Sequence, residues 1–381
     1  MFCPKCGFNL NDDNGAEFCP ECGAKLREST EKKEERAEAK KKKYGMKYAV
    51  AAAAAVAVLC GGFFIFKAGM GAAEKPSEPS AESGLELVSI TVPEGTTEIK
   101  DYEFAYYINM ESITIPDSVT KIGGRAFESC ANLKSINIPE GVTEIGDDVF
   151  WGCSSLESIN IPESVSEIGN RAFEKCSSLE SINISKNITE IGEFAFYDCS
   201  SLKNINIPES VSVIGAGAFN QCSSLESINI PESVSIIEAG TFEDCSSLES
   251  INIPESVTSV NTDAFTECAS LKEIIFPPNC QVVDLYFDGC NNLKMLDLTD
   301  CIVVGNDNES IKVSFLGCYN LKNISLPEEN LGTPIERNGW PDVPLFEECT
   351  NLETLKLPEK LKDINPDFVN AISDRVEIIF Y

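Results

Sequence analysis

Ser155–Cys176 reads SLESINIPESVSEIGNRAFEKC, and variants of this stretch return every 23 residues. Cys130, Cys153, Cys176, Cys199, Cys222, Cys245 and Cys268 keep the interval without a slip. So do Phe127, Phe150, Phe173, Phe196, Phe219, Phe242 and Phe265. Pro139, Pro162, Pro208, Pro231 and Pro254 share the register, with Ser185 filling the one gap. A fixed period of this length is the signature of a solenoid, whose units bury their apolar sides by stacking on one another. Within the quoted unit, Leu156, Ile159 and Ile161 carry a strand's alternation, with Ser158 and Asn160 facing the other way. Pro162 has no N–H for a sheet ladder and ends or edges that strand. Val165, Ile168, Ala172, Phe173 and Cys176 supply inward side chains as the chain turns back, and Gly169 reads as a tight turn. The expected unit is one short strand followed by an irregular or one-turn helical return.

Working outward, the array runs over 85–381 and predicts thirteen strands. They centre on Ile90, Ile113, Ile136, Ile159, Ile182, Ile205, Ile228, Ile251, Ile274, Leu296, Ile324, Leu355 and Ile378. At the usual sheet spacing of ~4.8 Å the stack is roughly 60 Å long. Both ends need a cap. Tyr107 stands where later units have Cys and suits an N-terminal cap; Arg375 replaces the expected Leu in the last unit, as an edge strand requires. Regularity fails after Cys268: the next Cys intervals are 22, 28 and 31 residues, to Cys290, Cys318 and Cys349. The longer units carry CIVVGNDNESIKV and NLGTPIERNGWPDVP, insertions of the kind that map to loops on a working face. Trp340, between Gly339 and Pro341, is a contact candidate on such a loop; the competing reading folds it onto the solenoid flank.

The outward strand positions form a candidate ligand-binding row along the concave face. It comprises Ser135, Asn137, Ser158, Asn160, Ser181, Asn183, Asn204, Asn206, Ser227, Asn229, Ser250 and Asn252, and continues into Glu273 and Asp297. A ladder of small neutral polar groups suits a peptide or glycan bound by repeated hydrogen bonds, although the same groups also simply solvate a strand. Beyond it the row varies, through Ile275, Met295, Asn323, Ser325, Thr354 and Lys356, and this is the better place for specificity. Glu157, Glu180, Glu226 and Glu249, with Glu163, Glu209, Glu232 and Glu255, read as solvated acidic rows without calcium-loop spacing. The ten ladder cysteines lie three residues after Phe at inward positions, where they read as buried free thiols filling space between rungs. Cys280 and Cys301 lie off the ladder and are better disulfide or reactive-thiol candidates.

The N-terminal part is organised differently. Residues 1–26 contain CPKCG and CPECG, so that Cys3, Cys6, Cys19 and Cys22 offer two Cys-x-x-Cys knuckles. Four thiolates at this spacing suit tetrahedral Zn²⁺, which would supply most of the stability of so short a segment. A pair of disulfides or redox dithiols is the alternative. Residues 27–47 are a charge-dense stretch reading as an exposed helix with i,i+4 pairs such as Glu28–Lys32, ending in Lys40, Lys41, Lys42 and Lys43. Residues 48–67 contain the uncharged run AVAAAAAVAVLCGGFFIF, the minimum length for a transmembrane helix. The lysines before it place the N-terminus in the cytoplasm. Residues 68–84, rich in Ala, Gly, Ser, Pro and Glu, read as a flexible stalk.

Charge and composition narrow the function. Residues 1–67 hold 12 basic and 9 acidic side chains, leaving 18 basic and 52 acidic in the rest, a net of about −34. Such a surface repels nucleic acid and anionic membrane. The chain has no histidine, which excludes His-dependent triads and His-ligated metals. With no Gly-rich phosphate loop and no convergent polar cluster, an enzyme is not expected.

The L-x-x-I-x-I-P, V-x-x-I-G and A-F-x-x-C segments resemble the BspA-like leucine-rich repeat of bacterial and protist surface proteins over 85–381. The resemblance implies a right-handed solenoid with a parallel concave sheet, displayed at a cell surface for adhesion or ligand capture. Residues 1–26 resemble small zinc-ribbon domains at the N-termini of bacterial membrane proteins. The combined expectation is a single-pass bacterial membrane protein whose extracellular repeats recognise a protein or glycan. The alternative is a transmembrane sensor or scaffold signalling to a cytoplasmic protein docked on the ribbon.

Overall fold

The fold was analysed in a computed structural model. It describes residues 87–306, 311–327, 335–337, 346, 348–364, 369, 372 and 376–381. The proposed zinc ligands Cys3, Cys6, Cys19 and Cys22, the apolar run within 48–67 and Trp340 lie outside the described residues. Among the described residues no helix is long and apolar enough to cross a membrane.

All thirteen expected strands are present, and all are parallel to their neighbours. Nine form one sheet: Val88–Thr91, Met110–Thr114, Ser135–Asn137, Ser158–Asn160, Ser181–Asn183, Asn204–Ile205, Ser227–Asn229, Ser250–Asn252 and Ile274–Ile275. Four form a second: Met295–Asp297, Asn323–Ser325, Thr354–Leu357 and Glu377–Phe380. Through the repetitive middle, like residues stand opposite like, as in Ser158↔Ser181, Ile159↔Ile182 and Asn160↔Asn183. The sheet is interrupted between Ile274–Ile275 and Met295–Asp297, at the 22-residue unit that ends at Cys290. The rungs on either side still meet, through Lys294 N to Lys272 O (3.3 Å).

The core runs the length of the stack. Phe127, Phe150, Phe173, Phe196, Phe219 and Phe242 are fully buried. Their rings stack nearly parallel at 5.4–5.8 Å, from Phe104 through Phe265. This offset stacking adds to the area buried by each ring. Phe104 also meets Tyr107 edge-on at 5.8 Å, so the aromatic column is closed at its N-terminal end as expected of Tyr107.

The cysteines form a second column. All twelve described cysteines are buried and free. Each ladder thiol donates to the carbonyl of the Phe one rung earlier, from Cys153 to Phe127 O (3.2 Å) through Cys318 to Phe287 O (2.9 Å). The thiol thereby occupies the second lone pair of a buried carbonyl, which is a reason for Cys rather than Ala at this position. Burial pushes the thiols up, so they are poor nucleophiles. Cys280 and Cys301 are buried too, with burial raising them to about 11 and about 12. They are free in this structure, unlike the disulfide that was one expectation for them.

The return segments are more ordered than the sequence suggests. The V-x-x-I-G segments form short parallel strands of their own: Glu167–Ile168, Glu190–Ile191 and Val213–Ile214 in one small sheet, and Ile236–Ile237, Ser259–Val260, Gln281–Val283 and Ile302–Val304 in the next. Among the described residues the helical expectation is met only at Leu361–Ile364. Gly169 also has a different role from the tight turn expected of it. A Cβ there would lie 2.7 Å from Gly146 C, and at Gly192 2.6 Å from both Gly169 C and Asn170 N. These glycines let adjacent backbones touch. The glycine series ends with the first of these sheets: Glu238 stands in the next unit where Gly215 stood in the last.

The A-F-x-x-C turns contain two left-handed residues each, such as Arg171 (φ 56) with Lys175 (φ 62). Their N–H groups donate to the next rung, Arg171 to Glu193 O (2.9 Å) and Lys175 to Tyr197 O (2.7 Å). Inter-rung bonding therefore offsets the cost of positive φ in non-glycine residues.

Candidate functional site

The concave face is the candidate site. Each three-residue strand buries its central Ile and exposes the residues on either side. All fourteen residues of the predicted row, Ser135 through Asp297, are exposed. The sheet brings Ser135 to Asn252 together as two adjacent columns in register. Some of their capacity is used internally: Asn183 Nδ2 donates to Asn160 Oδ1 (3.0 Å) and Ser227 Oγ to Asn204 Oδ1 (3.5 Å). Asp297 accepts from Thr299 N (3.1 Å) and Oγ1 (2.8 Å), which caps the turn after its strand. Glu273 and Asp297 stand beyond the regular columns, on either side of the sheet interruption. Ser325, read as outward, is buried, so the concave row is interrupted at that rung.

Sequence reasoning read the glutamates of the column beside this face as a solvated acidic row and missed the lysines interleaved with them. One residue before the first outward position of each strand, successive rungs carry Glu111, Lys134, Glu157, Glu180, Lys203, Glu226, Glu249, Lys272, Lys294, Lys322 and Glu353. Stacking converts a 23-residue separation into a neighbour contact. Lys134 pairs with Glu111 (2.7 Å), Lys203 with Glu180 (3.4 Å), Lys272 with Glu249 (2.6 Å) and Lys322 with Glu353 (3.0 Å). The acidic row is thus partly neutralised from within, although exposed pairs like these stabilise by less than about 1 kcal/mol each. The signal was available: reading charges down the column at the repeat period gives the pairs directly.

A second charged surface lies on the A-F-x-x-C turns. Burial, with Asp263, Asp244 and Glu267 nearby, raises Glu243 above the ordinary carboxylate range despite a 2.7 Å bond from Asn220. Burial followed by Asp198 raises Asp244, and burial outweighs the bonds from Thr262 and Thr266 to raise Asp263. A carboxyl raised in the folded state binds its proton more tightly there than in the unfolded chain. Its stabilising contribution is full below the unfolded value, near pH 4, and is lost as pH rises through the folded value. The melting temperature should therefore increase on acidification from pH 7 to about pH 5, and less so in Glu243→Gln/Asp244→Asn. Thermal melts across this range check the sign; a melting temperature that falls on acidification contradicts it. The Glu98–Lys121 pair lowers Glu98 and opposes the trend, but it is fully exposed. Among the described residues no cluster of carboxylates or thiols is arranged to hold a metal.

Comparison with known proteins accords with this architecture. The BspA type leucine rich repeat region matches residues 81–200, 166–294 and 312–379, in six copies. A leucine-rich repeat protein from Bacteroides ovatus is 24% identical, with a TM-score of 0.55 over 77% of this chain and 92% of its own. A leucine rich cell surface protein from Faecalibacterium prausnitzii is 27% identical, with a TM-score of 0.44 over 71% of this chain and 87% of its own. No curated protein sequence matches the chain significantly. The repeat profile covers well over half of the residues, and the solenoid has the strand and turn pattern that the repeat demands: the chain belongs to the BspA-type leucine-rich repeat family.

Proposed function

We propose that this is a non-enzymatic recognition protein, anchored in a bacterial membrane by residues 48–67, whose extracellular solenoid binds a protein or glycan through its concave face. The observation that carries this reading is the exposed double column of Ser and Asn side chains on a continuous parallel sheet. A rigid sheet presents repeated donors and acceptors at fixed spacing, so a ligand gains hydrogen bonds while little of the protein has to be ordered. The acidic balance of the repeats argues against nucleic acid as that ligand. In this reading Cys3, Cys6, Cys19 and Cys22 hold a structural Zn²⁺ on the reducing, cytoplasmic side, where the ribbon is free to meet a cytoplasmic protein. The lysines of 40–47 set that orientation.

Protease added to intact cells tests the display of the repeats. It should release peptides from 85–381 and spare 1–26; release of the ribbon with retention of the repeats would refute the topology.

A further inference from the structure

The polar row of the concave face continues past Ser135 to the N-terminal edge of the sheet. From Ser89 and Thr91 to Ser250 and Asn252, both outward positions of eight successive rungs are Ser, Thr or Asn. The rungs stand in register, with Ser89↔Ser112 and Ser112↔Ser135 at one end and Ser227↔Ser250 and Asn229↔Asn252 at the other. The pattern breaks at the ninth rung, with Glu273 and Ile275. Some of the side chains bond along the columns: Ser112 Oγ donates to Ser89 Oγ (2.8 Å), as Asn183 does to Asn160 and Ser227 to Asn204. Asn137, Asn206, Asn229 and Asn252 have no side-chain partner among the described residues, so each amide leaves two donors and an acceptor open.

The composition of the row disfavours a protein ligand. Over these eight rungs it holds no aromatic, arginine or aliphatic side chain, the groups that anchor protein partners. The charged column beside it is paired within itself at Lys134–Glu111, Lys203–Glu180 and Lys272–Glu249, which leaves little there for a charged peptide to select. The acidic balance of the repeats opposes a polyanion.

Spacing points the same way. Rungs follow one another at ~4.8 Å, whereas an extended polypeptide advances ~3.3 Å per residue and repeats a face every ~6.6 Å, so it falls out of step by the second rung. A polyproline helix, with three residues per turn at ~3.1 Å each, meets alternate rungs only, and such helices dock in aromatic-lined grooves. An extended chain of pyranose rings advances by roughly the rung spacing per sugar. Its hydroxyls both donate and accept, as Ser, Thr and Asn side chains do.

We propose that this eight-rung row is the binding track of a neutral, extended polysaccharide, laid along the stack with one sugar per rung. The proposal rests on the reading of the concave face as a recognition surface and names its ligand. Hydrogen bonds between neutral groups are individually weak, so affinity accumulates with the number of rungs engaged.

The test titrates the full chain, in a detergent without a sugar headgroup, with β-1,4-linked oligomers of glucose, mannose, xylose and N-acetylglucosamine, two to six sugars long, by calorimetry. At least one series should bind, and each added sugar should tighten it by about threefold. Coiled α-1,4-linked glucose oligomers should show no such gain. Asn206→Ala/Asn229→Ala should weaken the longest oligomer by about tenfold at an unchanged melting temperature, because both side chains are exposed. Ile275→Ser/Met295→Ser, beyond the track, should leave it unchanged. Binding by none of the four series, affinity that does not grow with length, an equal gain for the coiled oligomers, or indifference to Asn206→Ala/Asn229→Ala overturns the track. If no oligomer binds and that variant still abolishes capture of a matrix protein, the polysaccharide fails while the concave recognition surface stands. If the unaltered chain captures neither, the broader reading fails too.

Discussion

Phe196→Ala is expected to destabilise the repeat array by about 4 kcal/mol, the usual cost of emptying a buried Phe site. Phe196 is fully buried between Phe173 at 5.4 Å and Phe219 at 5.5 Å. Its loss removes two ring–ring interfaces as well as its own burial. The carbonyl of Phe196 also accepts from Cys222, and its N–H donates to Ala218 O (2.8 Å), so collapse of the turn would disturb the next rung. In a quasi-one-dimensional stack such damage acts on nearest-neighbour coupling. Denaturant unfolding should therefore show a lower midpoint and a broader transition as the halves on either side uncouple. A variant that unfolds like the parent would mean that the aromatic column does not hold the rungs together.

The second large effect is expected at Gly192. A Cβ at this position would sit 2.6 Å from two backbone atoms of the previous rung, which cannot rotate away as a side chain could. Gly192→Ala should cost about 3 kcal/mol, at the upper end for overpacking, by forcing the small sheet apart. Gly146 is the internal control. It holds the same place in its unit, yet its Cβ would meet nothing closer than Val149 Cγ2 at 3.9 Å. Gly146→Ala should be neutral or stabilise by up to about 1 kcal/mol through the unfolded chain. Chemical denaturation of the two variants side by side checks the contrast. Equal effects would show that the small sheet is not closely packed at Gly192.

These residues also show how far the sequence could be read. The strand centres, the Phe column and the Cys column were legible because each rung repeats the same physical demand at a fixed interval. Strands such as Glu167–Ile168 were not legible, because two residues are too few for an alternation to register. Gly169 was assigned to a turn because glycine in sequence signals backbone freedom without saying whether φ or close approach requires it. The left-handed pairs were hidden because Arg171, Lys175 and Phe194 are residues that avoid positive φ when isolated, and only bonding to the next rung holds them there. Gly152, Gly217 and Gly240 at equivalent positions were the available clue. The concave Ser/Asn row was legible in full. The varied rungs beyond it were legible in part: Ile275 and Met295, read as outward, are exposed, whereas Ser325, read the same way, is buried.

The central claim is that the concave face is the recognition surface. Its most direct measurement is a glycan and extracellular-matrix binding screen of the full chain beside Asn183→Arg/Asn206→Arg, which places two bulky cations on the exposed middle of the row. The account predicts that the parent captures a ligand and that the variant loses it while melting at the same temperature. Capture that survives in the variant, and equally in Ile275→Ser/Met295→Ser, would contradict the account and move recognition off the concave face.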